Sequence, residues 1–168
     1  MGTREHKESA PKAVTIGIIS VSTSRALAND ESGHWIHRQA LAEGHEVLFH
    51  QVIPDDSTTI SQTVGEVIQK FKPQVLLLSG GTGISSRDVT IEAVRPLFSK
   101  ELTAFSPLFA QLSFRQISSA AILSRATAGV VGNTVLFCMP GSFKACKLAC
   151  TELIFPELGH LVRHILIG

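Results

Sequence analysis

The chain has 168 residues, a length typical of one domain, and 44% of them are hydrophobic. That share is enough for a sizeable core and excludes a disordered tail. Lys and Arg number 15 against 14 for Asp and Glu, so the overall charge favours neither nucleic acid nor an anionic membrane surface. We expect neither partner, and any basic site must be local.

The cysteines and the first residues bear on the cellular compartment. Cys138, Cys146 and Cys150 lack CxxC spacing, which argues against a disulfide scaffold or a zinc site and indicates reduced thiols in a cytoplasmic protein. Residues 1–12 are polar and carry no apolar signal core, and no apolar run reaches the roughly 18 residues of a membrane helix. We predict a flexible N-terminal arm over residues 1–12 and a single domain over residues 13–168.

Predicted strands and helices alternate along the chain. Short β-rich apolar runs predict strands over residues 14–21, 46–53, 74–79 and 134–139. Apolar residues at helical spacing predict helices over 32–43, 57–72, 90–98, 106–115 and 142–155, with a last helix from Pro156. Ser32, Ser106 and Ser142 are the expected N-caps, and residues 118–133 show no clear pattern. The alternation predicts an α/β fold with a mostly parallel sheet, whose ligands bind at the carboxyl ends of the strands.

A glycine-rich segment, Ser79-Gly-Gly-Thr-Gly83, follows the third predicted strand directly. Glycines allow a sharp turn and close approach of a ligand, and successive backbone N–H groups in such a turn bind anions. Thr82 adds a hydroxyl donor. The segment matches neither the dinucleotide fingerprint nor the P-loop, so it predicts a phosphate-binding loop of another kind or, alternatively, a simple tight turn.

Two aspartates at the same predicted edge are candidate metal ligands. Asp88 lies shortly after the glycine-rich segment, and Asp55 lies in the turn after the second strand. Carboxylates beside an anion-binding loop suit Mg²⁺, which bridges phosphates. The alternative is that Asp88 or Thr90 only caps a helix, a role that we favour for Asp56. Ser142, in the turn Met139-Pro-Gly-Ser142, is likewise either an anion ligand or a cap.

Taken together, these motifs resemble the MoaB/MogA family of molybdenum cofactor proteins. The segment Gly80-Gly-Thr-Gly-x-x-x-Arg87-Asp88-Val-Thr90-x-Glu92-Ala93 is similar to the signature of that family. Further matching pieces occur in the same order as in the family: Ser20-Val-Ser22, Asp30-x-Ser32-Gly33, Ile53-Pro-Asp55, Leu123-Ser-Arg125-x-x-Ala128-Gly129 and Met139-Pro-Gly-Ser142-x-x-Ala145. The details around Ser32 and Met139 are closest to MoaB, and the arm His6-Lys-Glu-x-Ala-Pro11 resembles archaeal-type MoaB.

The resemblance implies a single-domain, three-layer α/β/α fold with a mostly parallel sheet that assembles as a homotrimer or a hexamer. Active members use Mg-ATP to adenylylate molybdopterin, release pyrophosphate, and pass the product to the metal-insertion protein of the pathway. The family's two catalytic, Mg²⁺-linked aspartates match Asp55 and Asp88.

The resemblance also implies roles for several binding residues. Ser113 aligns with a serine linked to molybdopterin binding, and Gly141 and Ser142 match a turn that binds the phosphate or pterin end of that substrate. The glycine-rich segment is the expected phosphate-binding loop, with Gly80, Gly81, Thr82 and Gly83 as its binding residues. Thr23 departs from the family, which usually has Asp there. A catalytically inactive molybdopterin-binding or carrier module of the same fold is the alternative function.

Overall fold

The computed structural model describes residues 10–167, so most of the predicted arm lies outside the described residues. Its strands are β1 (Thr15–Val21), β2 (Glu46–Ile53), β3 (Val75–Ser79), β4 (Lys100–Glu101), β5 (Thr127–Val131) and β6 (Thr134–Met139). Its α-helices are α1 (Glu31–Ala42), α2 (Ser57–Phe71), α3 (Thr90–Val94), α4 (Phe105–Ile117), α5 (Phe143–Ala149) and α6 (Leu158–Ile167). Within residues 10–167, no helix is both long and apolar enough to cross a membrane.

The six strands form one sheet in the order β2-β1-β3-β6-β5-β4. The strands from β2 to β6 in this order are parallel, with Ser20 opposite Ser79 and Ser79 opposite Met139. The strands β5 and β4 complete the sheet with antiparallel pairing. The predicted mostly parallel sheet is confirmed, and the carboxyl ends of four strands meet at one edge.

Helices cover both faces of this sheet, because its central strands bury apolar side chains on both sides. On one face, Ile16, Ile18 and Leu77 pack with residues of α1, α4, α5 and α6. On the other face, Ile19 and Leu78 pack with residues of α2 and α3. The expected three-layer α/β/α architecture is therefore confirmed.

The structure corrects several local predictions. Asp30 rather than Ser32 is the N-cap of α1, since its carboxylate accepts a hydrogen bond from the backbone N–H of Gly33. The helix predicted from Ser106 begins at Phe105, with Ala104 in the N-cap position and no capping side chain. Residues 118–133, which show no clear pattern in sequence, contain a 3-10 turn and β5. The short strand β4 was also missed, because two exposed residues carry no periodicity.

Candidate active site at the carboxyl edge of the sheet

The loops that follow β3 and β6 lie in contact at the carboxyl edge of the sheet. The backbone N–H of Gly80 donates to the carbonyl of Met139 over 3.0 Å. A Cβ placed on Gly141 would lie 3.0 Å from the Cα of Gly80. The structure thus brings the glycine-rich segment, hereafter the glycine loop (residues 80–83), against the Pro140-Gly141-Ser142 turn.

Two residues of the glycine loop require glycine. Gly80 has φ +97° and Gly81 has φ +64°, a region that other residues rarely adopt. A Cβ on Gly80 would overlap the carbonyl oxygen of Val21, and one on Gly81 would overlap the hydroxyl of Thr90. Gly81 and Gly83 are half-buried and carry no side chain, whereas Gly80 and Thr82 are buried.

Thr90 holds the glycine loop in place through two hydrogen bonds. Its hydroxyl donates to the carbonyl of Gly80 and its backbone N–H donates to the carbonyl of Gly81, both over 2.9 Å. Thr90 is fully buried. The alternative that Asp88 or Thr90 caps α3 is wrong, because Val89 occupies the N-cap position and no side chain caps it.

Asp55 is held by a residue 32 positions earlier in the chain. Its Oδ2 accepts hydrogen bonds from the backbone N–H and the hydroxyl of Thr23, each over 2.8 Å. Its Oδ1 lies 3.4 Å from the position of a Cβ on Gly81. Thr23, which departs from the usual Asp of the family, thus orients this carboxylate toward the glycine loop.

Asp88 is held by its own loop. Its Oδ2 accepts from the backbone N–H and the hydroxyl of Ser85, over 2.9 Å and 2.7 Å. The hydrogen bond from the Ser85 side chain is the main reason that the pKa of Asp88 lies below its usual value. A Cβ on Gly83 would lie 2.7 Å from Asp88 Oδ2, so an ionised carboxylate sits directly beside the glycine loop.

Arg125 is a site residue whose role the sequence did not predict. Its guanidinium donates to the carbonyl of Gly83 over 2.7 Å and pairs with Glu92. Burial raises the pKa of Glu92, but the hydrogen bond from Arg125 outweighs it and leaves that pKa below its usual value. Arg125 therefore acts on the conformation of the glycine loop, whereas Arg87 is exposed.

The carboxylates of Asp55 and Asp88 fit the needs of Mg²⁺. They offer hard oxygen ligands beside Gly81 and Gly83, and Mg²⁺ prefers such ligands while keeping several waters or phosphate oxygens. Among the described residues, no group of three or more His, Cys, Asp or Glu could hold a metal. The two carboxylates therefore fit Mg²⁺ by the type of ligand that they offer.

The two predicted serine ligands have different surroundings. The hydroxyl of Ser142 accepts from the backbone N–H of Ala145 over 3.3 Å, so it caps α5 as the capping alternative predicted. Ser113 is buried on the inward face of α4 with Phe105 and Phe109. Their roles toward a substrate stay predictions. Asp56 caps α2 through the N–H of Thr59, as expected.

A comparison with protein families places this site in a known context. The family described as "Probable molybdopterin binding domain" matches residues 17–160 of the chain. The chain belongs to the MoaB/MogA family of molybdenum cofactor proteins. The matched region contains every family segment of the site, from the end of β1 to the start of α5.

Individual members of the family match the chain over nearly its whole length. Molybdenum cofactor biosynthesis protein B of Bacillus subtilis is 44% identical over 166 residues, covering 98% of both chains. Molybdopterin adenylyltransferase of Pyrococcus furiosus is 38% identical over 170 residues, again covering 98% of both.

Solved structures of the family agree. A crystal structure of molybdenum cofactor biosynthesis protein B has a TM-score of 0.91 at 42% identity, covering 95% of this chain and 100% of that one. The tungsten cofactor synthesizing protein MoaB of Pyrococcus furiosus has a TM-score of 0.84 at 36% identity, covering 93% and 99%. The predicted family and fold are therefore both confirmed.

Proposed function

We propose that this chain adenylylates molybdopterin with Mg-ATP and releases pyrophosphate. The observation that carries the proposal is the placement of two carboxylates, Asp55 and Asp88, against a glycine loop with positive φ. The relative from Pyrococcus furiosus that is named molybdopterin adenylyltransferase supports the same activity.

The reaction joins two phosphate groups. A phosphate oxygen of molybdopterin attacks the α-phosphorus of ATP, the new P–O bond forms, and the bond to pyrophosphate breaks. Negative charge crowds together in this step, so catalysis consists of in-line positioning and charge stabilisation. The step needs no protein nucleophile, which agrees with buried free cysteines such as Cys146, whose pKa burial raises to about 12.

Each element of the site has a task in this step. Asp55 and Asp88 would hold Mg²⁺, which would neutralise charge on the triphosphate. Backbone N–H groups of Gly81, Thr82 and Gly83 and the hydroxyl of Thr82 bind phosphate oxygens, whereas the N–H of Gly80 stays bonded to the carbonyl of Met139. Gly141 and Ser142 receive the phosphate or pterin end of molybdopterin, and Ser113 contributes to the same substrate.

The proposal includes the assembly and the setting of the enzyme. Exposed apolar side chains on α4 and the turn after it support self-association of the chain. The family resemblance favours a homotrimer, or a hexamer built from two trimers. The adenylylated product passes to the metal-insertion protein of the pathway. The free cysteines support a cytoplasmic setting.

Pyrophosphate release from ATP, with purified molybdopterin and Mg²⁺, tests the activity. We expect release only when the chain and both substrates are present, and we expect it to stop on removal of Mg²⁺ by a chelator. Molybdopterin binding without pyrophosphate release would contradict the proposal and would favour the carrier module instead.

A further inference from the structure

A buried carboxylate lies beneath the active-site loops, outside the set of residues assigned above. Asp30 is only 1% exposed. Its Oδ2 accepts hydrogen bonds from the hydroxyl of Ser20 and from Nε2 of His50, the latter over 2.7 Å. Its Oδ1 accepts from the backbone N–H of Gly33 over 3.1 Å. Every strong interaction of this carboxylate is therefore made inside the protein.

The side chains around the carboxylate of Asp30 are packed so closely that Gly33 cannot carry a side chain. A Cβ on Gly33 would overlap both the carboxylate of Asp30 and the ring of His50. The side chain of His50 is itself only 6% exposed. The first turn of α1 is thus held directly against β1 and β2 through Ser20, Asp30 and His50.

The same network reaches the glycine loop. The hydroxyls of Ser20 and Ser79 lie 3.3 Å apart. Because the proton of Ser20 is directed to Asp30, Ser79 is the donor in this second contact. Ser79 directly precedes Gly80, so the start of the glycine loop is tied to the carboxylate through two hydroxyl groups.

The network also reaches the turn that contains Gly141. Ser32, in the first turn of α1, donates its hydroxyl proton to the carbonyl of Gly141 over 3.1 Å. Asp30 fixes the start of α1 by accepting from Gly33. One helix end therefore sets the position of the turn after β6, while Ser79 sets that of the glycine loop.

Stability alone does not explain this arrangement. Buried charged networks gain little over well-packed apolar residues of the same volume, because removing charge from water is costly. Their benefit is directional, since each hydrogen bond fixes a partner in space. Here the partners belong to α1, β1, β2 and β3. Of these, β3 leads directly into the glycine loop, and α1 contacts the Gly141 turn through Ser32.

We propose that Asp30 and His50 are positioning residues for the adenylyl transfer, which hold the glycine loop and the Gly141 turn at a fixed separation. This inference rests on the function proposed above. Neither residue contacts the reacting groups; both act through Ser79 and Ser32. A misplacement of about 1 Å in such a site lowers the rate about 10²-fold, so the network acts mainly on kcat.

Three substitutions at histidine separate positioning from packing. His50→Met keeps the volume but removes the hydrogen bond to Asp30, and we expect kcat to fall about tenfold or more with a smaller change in KM for ATP. His50→Gln keeps an N–H donor and restores most of the loss. His37→Gln is the control for packing. The ring of His37 contacts that of His50 edge-on, with centroids 6.0 Å apart, but His37 is not among the hydrogen-bond donors to Asp30.

A second readout does not depend on turnover. Amide hydrogen exchange in the intact protein should become faster at residues 79–83 and 141 in His50→Met, with exchange in α2 unchanged. Ser20→Ala, a smaller change, should act in the same direction and replaces His50→Met if that variant does not fold. Activity is compared per folded molecule, well below the melting temperature.

The outcomes distinguish the two proposals. If the unchanged chain releases no pyrophosphate, the adenylylation proposal fails, and loop exchange alone decides whether the network fixes the loops. If the unchanged chain is active, positioning is overturned when His50→Met keeps kcat within about twofold of the original or leaves loop exchange unchanged. Equal losses in His50→Gln and His50→Met also overturn it.

Discussion

Asp55 and Asp88 face the same loop but are oriented by different means. Thr23 holds Asp55 across the sheet edge, whereas Ser85 holds Asp88 within one loop. In both cases one carboxylate oxygen is used to fix the side chain. The second oxygen of each carboxylate lies 3.4 Å from the position of a Cβ on a glycine of the loop, Gly81 for Asp55 and Gly83 for Asp88.

The first prediction concerns these two aspartates. Asp55→Asn and Asp88→Asn should each lower the rate of pyrophosphate release on the order of 10²-fold or more, because an amide is a poor ligand for Mg²⁺. Molybdopterin binding should weaken far less. Asp56→Asn is the control, since it caps α2 and Asn caps equally well. Turnover near the original value at saturating Mg²⁺ in either variant would remove that aspartate from the metal site.

A second prediction at this scale concerns Gly81. Gly81→Ala would place a methyl group against the hydroxyl of Thr90 at a φ of +64°, so we expect weaker ATP binding and a loss of more than about 1 kcal/mol in unfolding free energy. Gly65→Ala is the control, because Gly65 lies in α2 with open space around it and Ala stabilises a helix. Unchanged ATP affinity by calorimetry would show that the loop does not bind nucleotide.

At the scale of elements, Arg125 connects the segment before β5 to the glycine loop and α3, two parts of the chain that are not linked through strand pairing. It lies just before β5, and it holds the carbonyl of Gly83 after β3 and the carboxylate of Glu92 on α3. The side chain of Arg125 is 32% exposed, so most of it is shielded from water. The glycine loop is therefore held by hydrogen bonds at both ends, from Thr90 to the carbonyls of Gly80 and Gly81 and from Arg125 to the carbonyl of Gly83.

We predict that Arg125→Met loosens this loop. The variant leaves the carbonyl of Gly83 without its donor, which should cost about 1–3 kcal/mol of unfolding free energy and lower turnover about tenfold. Arg95→Met removes the more exposed pair of Arg95 with Glu101 and should change stability by less than about 1 kcal/mol. Urea unfolding and pyrophosphate release measure both effects; equal behaviour of the two variants would contradict the role of Arg125.

The start of α1 gives a prediction for acid stability. Burial raises the pKa of Asp30, but the hydrogen bonds from His50, Ser20 and Gly33 outweigh it and lower the pKa to about 2. A pKa that is depressed on folding contributes stability above the unfolded value, and that stability is lost as the pH falls through the folded value. The contribution is about 2 kcal/mol at neutral pH, of which about half is lost by pH 3.

Urea unfolding at pH 6 and pH 3 tests this value in the chain and in Asp30→Asn. Asp56, Asp88 and Glu92 also have depressed pKa values, so both proteins lose stability in acid. The original chain should lose about 1 kcal/mol more than Asp30→Asn. Equal losses would show that Asp30 has an ordinary pKa in the folded protein.

At the scale of the whole molecule, the surface around α4 and the turn that follows it carries several exposed apolar side chains. They lie on α4 and the turn that follows it: Leu108, Phe114, Ile117, Ile122 and Leu123. Ile122 is 86% exposed. Exposed apolar side chains in this number are typical of subunit contacts.

We predict a homotrimer that uses this surface. Light scattering at micromolar concentration should give three times the mass of one chain, or six times if trimers pair. Ile122→Asp should lower the mass by placing a charge in the contact, whereas Leu41→Asp, which lies on α1 outside this surface, should not. A monomeric original chain would reject the assembly.

Local pattern determined much of this protein. The four parallel strands are short apolar runs, and a buried strand is recognisable from the few residues it contains. The glycine loop, Asp55 and Asp88 were predicted at one edge because parallel strands align their carboxyl ends. Each of these features depends on neighbours in sequence, so the sequence was sufficient to place them.

Tertiary structure decided which distant residues meet. Thr23 pairs with Asp55, and Arg125 pairs with Gly83, across 32 and 42 positions of the chain. Local periodicity in the sequence cannot predict contacts between residues so far apart. His50 likewise gave no signal, because its role depends on β2 lying beside β1 and on Asp30 closing the start of α1. Residue types were enough to predict the chemistry of the site. The residues that hold the site in place depend on the order of strands in the sheet, because that order is fixed by long-range packing.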